Sequence, residues 1–241
     1  MGAMNPGTVE PAVWKGHYDF SGRLDALAGV PIPIWSTKSL TGRWSARADA
    51  GFEGRLVEED GLPRGTITNS LGFPLTDCLL AYGSYAYELG TLEPGEPVRV
   101  GPNRRRRELK SLLTGRRIIF NKEKEDYRPQ TTPYDQASVD VAYILRTMMF
   151  YEKAGGRNYT GLSHRYQGFV DASHLLKTNR AILVGSAPSG REKGSGTFSA
   201  GFLTPFDGHG TELLLGGQPV PQSQVRHTAV YRFVFPVESG S

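Results

Sequence analysis

The sequence contains only one cysteine, Cys78, so no disulfide can form within the chain. A chain of 241 residues can bury a substantial core without a crosslink, and an exported protein is therefore not excluded. No apolar run reaches the roughly 18 residues that a membrane-spanning helix needs. The segment Met1–Met4 has neither the basic nor the apolar stretch of a signal peptide, and its second methionine is typical of a cloning scar on an excised fragment.

The residue patterns of metal centres are also missing. The five histidines are scattered, no pair of them has zinc-ligand spacing, and Cys78 stands alone in an apolar strand pattern. A small buried side chain is the usual role of such a cysteine. The sequence therefore predicts no metal site and no cofactor.

Two stretches resemble parts of enzyme motifs but lack their essential residues. Gly185–Gly190 matches the start of a phosphate-binding loop, but Arg191 and Glu192 occupy the positions of its lysine and its Ser or Thr. Ser199 lacks the first glycine of a nucleophile elbow. No catalytic residue is predicted, and the alternative is an enzyme whose site is assembled from distant residues around His164, His174 or His209.

Glycine (30 residues) and proline (16) are abundant instead, and they favour a turn-rich β protein. Asp60-Gly61 predicts a hairpin between strands at 52–58 and 64–69. Gly83-Ser84 suits a type II′ turn between strands at 77–82 and 85–89, and Pro94-Gly95 suits a type II turn before a strand at 98–100. The register of the second hairpin pairs Tyr82 with Tyr85 and places Cys78, Leu80 and Tyr82 on one face.

The predicted fold is mainly β, an antiparallel β-sandwich with a helical insertion. An extended N-terminal arm is expected at 1–41, followed by a single β-rich domain at 42–237 with a basic and helical insertion near 105–158. One clear helix is expected after a cap at Asp135 or Ser138, ended by Gly155-Gly156 and buried on more than one face. A short helix is expected at 108–113. Further strands are predicted at 167–170, 180–184, 197–203, 211–215 and 229–237, with an exposed loop at 185–196.

The charge is +4 overall, but residues 104–124 carry nine Lys or Arg and only two Glu. These cations could neutralise phosphates or approach an anionic membrane surface, and a solvated connection is the third interpretation. The basic run NRRRRELKSLLTGRR, residues 103–117, contains no interleaved aromatic residue for stacking on bases. The candidate anion or partner contacts are Arg104, Arg105, Arg106, Arg107, Lys110, Arg116 and Arg117.

Residues 64–96 read RGTITNSLGFPLTDCLLAYGSYAYELGTLEPGE and resemble a recurring motif of bacterial envelope proteins. In that motif a G-x-I-x-N strand precedes a small-polar turn, an L-x-D strand follows, and L-G-x-L-x-P-G-E leads to the next strand. The matching residues are Gly65, Ile67, Asn69, Leu75, Asp77, Leu89, Gly90, Leu92, Pro94, Gly95 and Glu96. The resemblance implies an immunoglobulin-like accessory β-sandwich on the extracytoplasmic part of a membrane-anchored protein, in which these residues shape loops and do not catalyse.

We therefore expect a non-catalytic interaction or scaffolding domain of a larger bacterial membrane-anchored protein, periplasmic or extracellular. Its expected partners are other envelope proteins or the rest of its own parent chain, with an anionic membrane surface as a further candidate. The alternative is a cytoplasmic module that binds nucleic acid or another anionic polymer through residues 104–117.

Overall fold

The computed structural model describes residues 19–20, 27–28, 51–115, 117–121, 123–130, 140–162, 167–187, 214–215, 218–219 and 229–240. The chain divides into two compact units, residues 1–46 and 47–241. The described part of the first unit is an antiparallel pair, β1 (Asp19–Phe20) with β2 (Leu27–Ala28).

The second unit is mainly β. Its described strands are β3 (Phe52–Glu59), β4 (Leu62–Asn69), β5 (Leu75–Tyr82), β6 (Tyr85–Leu92), β7 (Pro97–Val100), β8 (Arg106–Glu108), β9 (Arg117–Asn121), β10 (Asp126–Gln130), β11 (Arg180–Ser186), β12 (Leu214–Leu215), β13 (Gln218–Pro219) and β14 (Val230–Ser239). Its described α-helices are α1 (Leu109–Thr114), α2 (Val141–Met149), α3 (Tyr151–Ala154) and α4 (Arg157–Thr160), and two 3-10 helices lie at Gln167–Phe169 and Ser173–Lys177.

Eight strands form one sheet in the order β7-β4-β3-β14-β11-β5-β6-β8. All neighbours are antiparallel except β14 and β3, which pair in parallel through residues 237–239 and 56–58. The mainly β prediction, with helices between the strands, is confirmed. The sheet is mixed and curled, which differs from the expected antiparallel sandwich, because the distant C-terminal strand β14 inserts beside β3.

The three predicted turns are confirmed. Asp60 and Gly61 both have positive φ, 54° and 74°, between β3 and β4. Gly83 has φ 57° while Ser84 is not among the positive-φ residues, as a type II′ turn requires, and Tyr82 pairs with Tyr85. Gly95 has φ 75°, and the Glu96 amide donates to the Glu93 carbonyl at 3.4 Å.

Side chains alternate along β5 between two buried clusters. Cys78, Leu80 and Tyr82 lie in one cluster, the inner core, which also contains residues of β3, β4, β6 and β14. Leu79 and Ala81 lie in the other cluster, the helix-side core, which also contains residues of α1, α3 and the second 3-10 helix. Burial raises the pKa of the Cys78 thiol to about 12, so the predicted role as a small buried side chain is confirmed.

Contacts within the inner core show that the sheet is curled. Leu56 and Ile67 from β3 and β4 share this cluster with Tyr87 from β6, although these strands stand far apart in the strand order. The Tyr82 hydroxyl donates a hydrogen bond to the Glu58 carboxylate, which ties β5 directly to β3. Burial of the Tyr82 phenol is the main cause that raises its pKa to about 12, and the neighbouring Glu58 carboxylate is the second cause. The two ends of the sheet are therefore brought towards each other.

The helical region differs from the prediction in its start and its continuity. The cap of α2 is Asp140, whose carboxylate accepts a hydrogen bond from the Tyr143 amide at 3.0 Å, so the predicted caps at Asp135 and Ser138 are wrong. The helix breaks at Phe150 and resumes as α3, which ends at Gly155. Burial on more than one face is confirmed for residues 147–151, whereas Val141 is exposed and residues 142–146 are half-buried. The short predicted helix is α1, ended by Gly115 with φ 64°.

Three predictions for the C-terminal half have different outcomes. The strand expected at 167–170 is wrong, because Gln167–Phe169 is a 3-10 helix. Gly185 belongs to β11 and not to a loop, while residues 188–203 lie outside the described residues. The strands predicted at 180–184 and 229–237 are confirmed as β11 and β14. Among the described residues, no helix is long and apolar enough to cross a bilayer.

Four residues of the envelope-like motif, Asn69, Leu92, Pro94 and Gly95, meet at one corner of the sheet. Asn69 is only 1% exposed; its side-chain amide donates to the carbonyls of Phe73 and Leu92, each at 2.9 Å, and its side-chain oxygen accepts from the Leu71 amide at 3.0 Å. The Asn69 carbonyl accepts from the Gly95 amide at 2.7 Å. One buried asparagine therefore joins the end of β4 to β6 and to the turn before β7.

Candidate binding site: a basic cleft

The four consecutive arginines do not form one continuous charged patch. Three positions of β8 pair with β6 in antiparallel register: Arg106 with Tyr87, Arg107 with Ala86, and Glu108 with Tyr85. Because side chains of a strand alternate between faces, Arg106 shares a face with Tyr87, whereas Arg107 lies on the opposite face. Leu109, the first residue of α1, donates its amide to the Ser84 carbonyl at 2.8 Å and so holds β8 against the hairpin turn.

Two of the arginines are paired with one carboxylate. The guanidinium of Arg107 lies 3.2 Å from the Glu88 carboxylate, and that of Arg105 lies 3.9 Å from it. These pairs are partly exposed, so each contributes about 0–1 kcal/mol to stability. Glu88 thus compensates charge on the face of the sheet that carries Arg107.

The other two arginines line a cleft of about 380 Å³, together with Leu62, Tyr87 and Pro102. We call this set of five residues the basic cleft. Among the described residues, neither Arg104 nor Arg106 forms an ion pair. Leu62 comes from β4 and Tyr87 from β6, so the curl of the sheet assembles the cleft from strands that are far apart in the strand order. The cleft therefore carries two uncompensated cations beside an apolar wall.

Each arginine of the cleft is held by a neighbour. The Arg104 side chain donates from Nε to the Arg99 carbonyl at 3.3 Å, and its backbone amide closes a turn on the Gly101 carbonyl at 3.1 Å. The Arg106 guanidinium carbon lies 4.6 Å from the centre of the Tyr85 ring, a cation–π contact. These contacts orient both guanidinium groups without neutralising them.

Tyr87 has the least usual environment in the cleft. The residue is 1% exposed, and its hydroxyl hydrogen has no acceptor among the described residues. Burial raises the pKa of the Tyr87 phenol, while the Arg106 guanidinium, through its charge and as a hydrogen-bond donor to the phenol oxygen, and the charge of Arg64 lower it. A buried donor without an acceptor costs about 1–3 kcal/mol, so Tyr87 holds a hydrogen-bond donor that a ligand with an acceptor could satisfy.

Of the remaining residues of the predicted basic set, Lys110 is the one whose side chain the structure describes, and it does not line the cleft. Lys110 is exposed on α1. Arg116 lies outside the described residues, and Arg117 is described only as the first position of β9, opposite Gln130. The structure thus assigns Arg104 and Arg106 to the cleft and pairs Arg105 and Arg107 elsewhere.

The enzyme alternative depended on His164, His174 and His209. Only His174 is among the described residues, and it is exposed on the second 3-10 helix. Within the described ranges, no group of three or more His, Cys, Asp or Glu residues is placed to hold a metal ion.

The sequence pattern did not identify Leu62, Tyr87 or Pro102 as parts of a site. The basic run at 103–117 contains no aromatic residue of its own, but Tyr85 and Tyr87 lie on β6, the strand that pairs with β8. The available signal was the alternation in Tyr85-Ala86-Tyr87-Glu88, which places two tyrosines on one face and a carboxylate on the other.

A family model described as a domain of unknown function, DUF8725, matches residues 51–186, more than half of the chain. The matched segment runs from the start of β3 to the end of β11 and contains every residue of the basic cleft. No curated protein and no solved structure matches the chain.

Proposed function

We propose that the chain, which belongs to the DUF8725 family of domains of unknown function, is a non-catalytic interaction domain that binds an acidic protein segment through its basic cleft. The observation that carries the proposal is the unequal pairing of the four arginines. Arg105 and Arg107 have a carboxylate partner in Glu88, whereas Arg104 and Arg106 have none among the described residues. Cations without a partner beside an apolar wall are available to an incoming carboxylate.

The geometry favours an acidic protein segment over nucleic acid. The exposed ring of Tyr85 already carries the Arg106 guanidinium, so this ring is not a free platform for a base. The cleft contains two arginines, Arg104 and Arg106, beside the apolar Leu62 and Pro102. A nucleic-acid-binding groove needs cations spaced along the phosphate backbone. An acidic segment of a folded partner or of the parent chain matches the size and charge of the cleft.

The first experiment measures binding of a short poly-L-glutamate peptide by isothermal titration calorimetry. Replacing both cleft arginines, Arg104→Ala with Arg106→Ala, is expected to weaken binding by roughly tenfold or more, because two charge-assisted contacts are lost. The wild-type affinity is expected to fall as salt rises, because the contacts are ionic.

The matched control removes the same charge from the other face, Arg105→Ala with Arg107→Ala. This variant is expected to retain nearly full affinity, because Glu88 already compensates these side chains. Equal loss in the two double variants would show a general charge effect and contradict the proposal. Tighter binding of a single-stranded oligonucleotide or of phosphatidylglycerol vesicles than of poly-glutamate would also contradict it.

The second part of the proposal is an extracytoplasmic location. The domain would belong to a larger bacterial membrane-anchored protein, and its partner would be another envelope protein. The support is the resemblance of residues 64–96 to the motif of immunoglobulin-like accessory domains. As part of this proposal, the two halves of the curled sheet, packed across the inner core, correspond to the two layers of such a sandwich. The role of Asn69 agrees with this idea, because its hydrogen bonds to the Phe73 and Leu92 carbonyls shape the loop after β4 and hold it to β6.

Protease accessibility of the natural protein tests the setting. With a tag inserted in this region, digestion is expected once the outer envelope is opened, while the inner membrane is still sealed. The control is a cytoplasmic protein in the same cells, which must stay intact at that stage. Protection until the inner membrane is broken would place the domain in the cytoplasm and refute the extracytoplasmic setting.

A further inference from the structure

We infer that the basic cleft recognises a carboxylate carried on an apolar body, either the C-terminal residue of a peptide or a small apolar acid. This inference rests on the proposed function and names the chemical group that the partner presents. Its basis is the composition of the cleft wall, which combines Arg104 and Arg106 with Leu62, Pro102 and the buried hydroxyl of Tyr87.

The polar half of the cleft matches one carboxylate. A carboxylate has two oxygens that accept several hydrogen bonds, and a guanidinium can donate two of them in parallel. Arg106 supplies a guanidinium fixed over the Tyr85 ring, and Tyr87 supplies a hydroxyl hydrogen for which the described residues provide no acceptor. A bound carboxylate would thus accept a hydrogen bond from the buried Tyr87 hydroxyl, whose hydrogen has no acceptor in the described part of the chain.

The apolar half decides against a compact inorganic anion. Leu62 and Pro102 offer no hydrogen-bond donor, since one has a hydrocarbon side chain and the other lacks an amide hydrogen. A phosphate ion would face this wall with charged oxygens that lose their water without replacement. A ligand with an apolar side chain gains contact with the same wall.

The volume limits the ligand further. About 380 Å³ is at the small end of ligand pockets, which suits one or two residues. The edge position of β8 in the described sheet leaves room for an extended segment to lead into the cleft. The C-terminal end of a chain has both the free carboxylate and the extended form that this geometry requires.

The test uses N-acetyl-phenylalanyl-leucine with a free carboxylate, titrated into the full chain and followed by calorimetry. Its C-terminal amide is expected to bind roughly a hundredfold more weakly, because a charged partner of the arginines is lost. Tyr87→Phe is expected to weaken binding of the acid roughly tenfold through loss of one hydrogen bond to a charged group. The same variant is expected to unfold at the same or a higher temperature, because it removes an unsatisfied buried hydroxyl; a role in stability alone would lower that temperature and leave binding unchanged.

The outcomes separate this inference from the proposed function. Binding of the dipeptide acid or of phenylpropionate supports the inference. Tighter binding of the dipeptide acid identifies the natural ligand as the C-terminal end of a peptide, and tighter binding of phenylpropionate identifies it as a free small acid. Equal binding of acid and amide, or binding of inorganic phosphate as tight as that of the acid, overturns it. If poly-glutamate binds through the cleft arginines while neither apolar acid binds, this inference fails and the proposed function stands. If neither poly-glutamate nor the apolar acids bind, both fail.

Discussion

Replacing Gly65 by alanine is expected to lower the free energy of unfolding by about 4 kcal/mol, a loss at the upper end for single substitutions. Gly65 lies in β4 opposite Leu56 of β3 and has φ 149°, a conformation that other residues rarely adopt. A Cβ atom there would stand 2.0 Å from the Arg55 carbonyl oxygen and 3.2 Å from the Leu56 Cα. Because these are backbone atoms of the paired strand, no side-chain rotation can relieve the contact.

Urea denaturation followed by circular dichroism measures this loss. Gly72→Ala is the matched control, since a Cβ at Gly72 meets no atom within 4 Å and its φ is not positive. The control is expected to change stability by less than about 0.5 kcal/mol. A Gly65→Ala protein as stable as this control would show that β3 and β4 are not held as closely as described.

Replacing Asn69 by alanine is expected to cost about 3 kcal/mol. The change removes the side-chain partner of the buried Leu92 carbonyl and of the buried Leu71 amide, and one hydrogen bond to the half-buried Phe73 carbonyl. Each unsatisfied buried group costs about 1–3 kcal/mol, and local relaxation returns part of that loss. Since Asn69 joins β4 to β6 directly, the loss also loosens the contact between the two halves of the sheet.

The comparison for Asn69 is Thr66→Ala in the same strand. Thr66 is exposed, so its replacement changes only strand propensity and is expected to cost less than about 1 kcal/mol. Hydrogen exchange adds a local readout, because the Leu71 amide is expected to exchange faster in the Asn69 variant. Equal stability of the two variants would argue that water replaces the asparagine at this corner.

The hairpins could be predicted because their information is local. A dipeptide such as Asp60-Gly61 accepts positive φ, and alternating apolar residues on both sides set the register. The start of α2 could not be chosen in the same way, because Asp135, Ser138 and Asp140 are all acceptable caps within a short stretch. The helix begins after Asp140, and its break at Phe150, a fully buried residue, accompanies its packing against the sheet.

The candidate site was predictable only in part. The excess of positive charge near Arg104 is visible in the sequence, whereas its division between two faces depends on β8 pairing with β6. Leu62 comes from a strand that only the curl of the sheet brings to the cleft. No pattern along the chain encodes that approach, because it depends on packing between residues far apart in sequence.

The sequence by itself determined the mainly β character, the three turns, the pairing of Tyr82 with Tyr85, and the basic run. These features follow from backbone conformations and charges that each residue carries wherever it is placed. Only the tertiary structure decided that β14 joins β3 in parallel, that the sheet curls, and that Arg104 and Arg106 stand apart from the carboxylate that pairs Arg105 and Arg107. These features depend on contacts between distant segments, whose energy is gained only after the chain has folded.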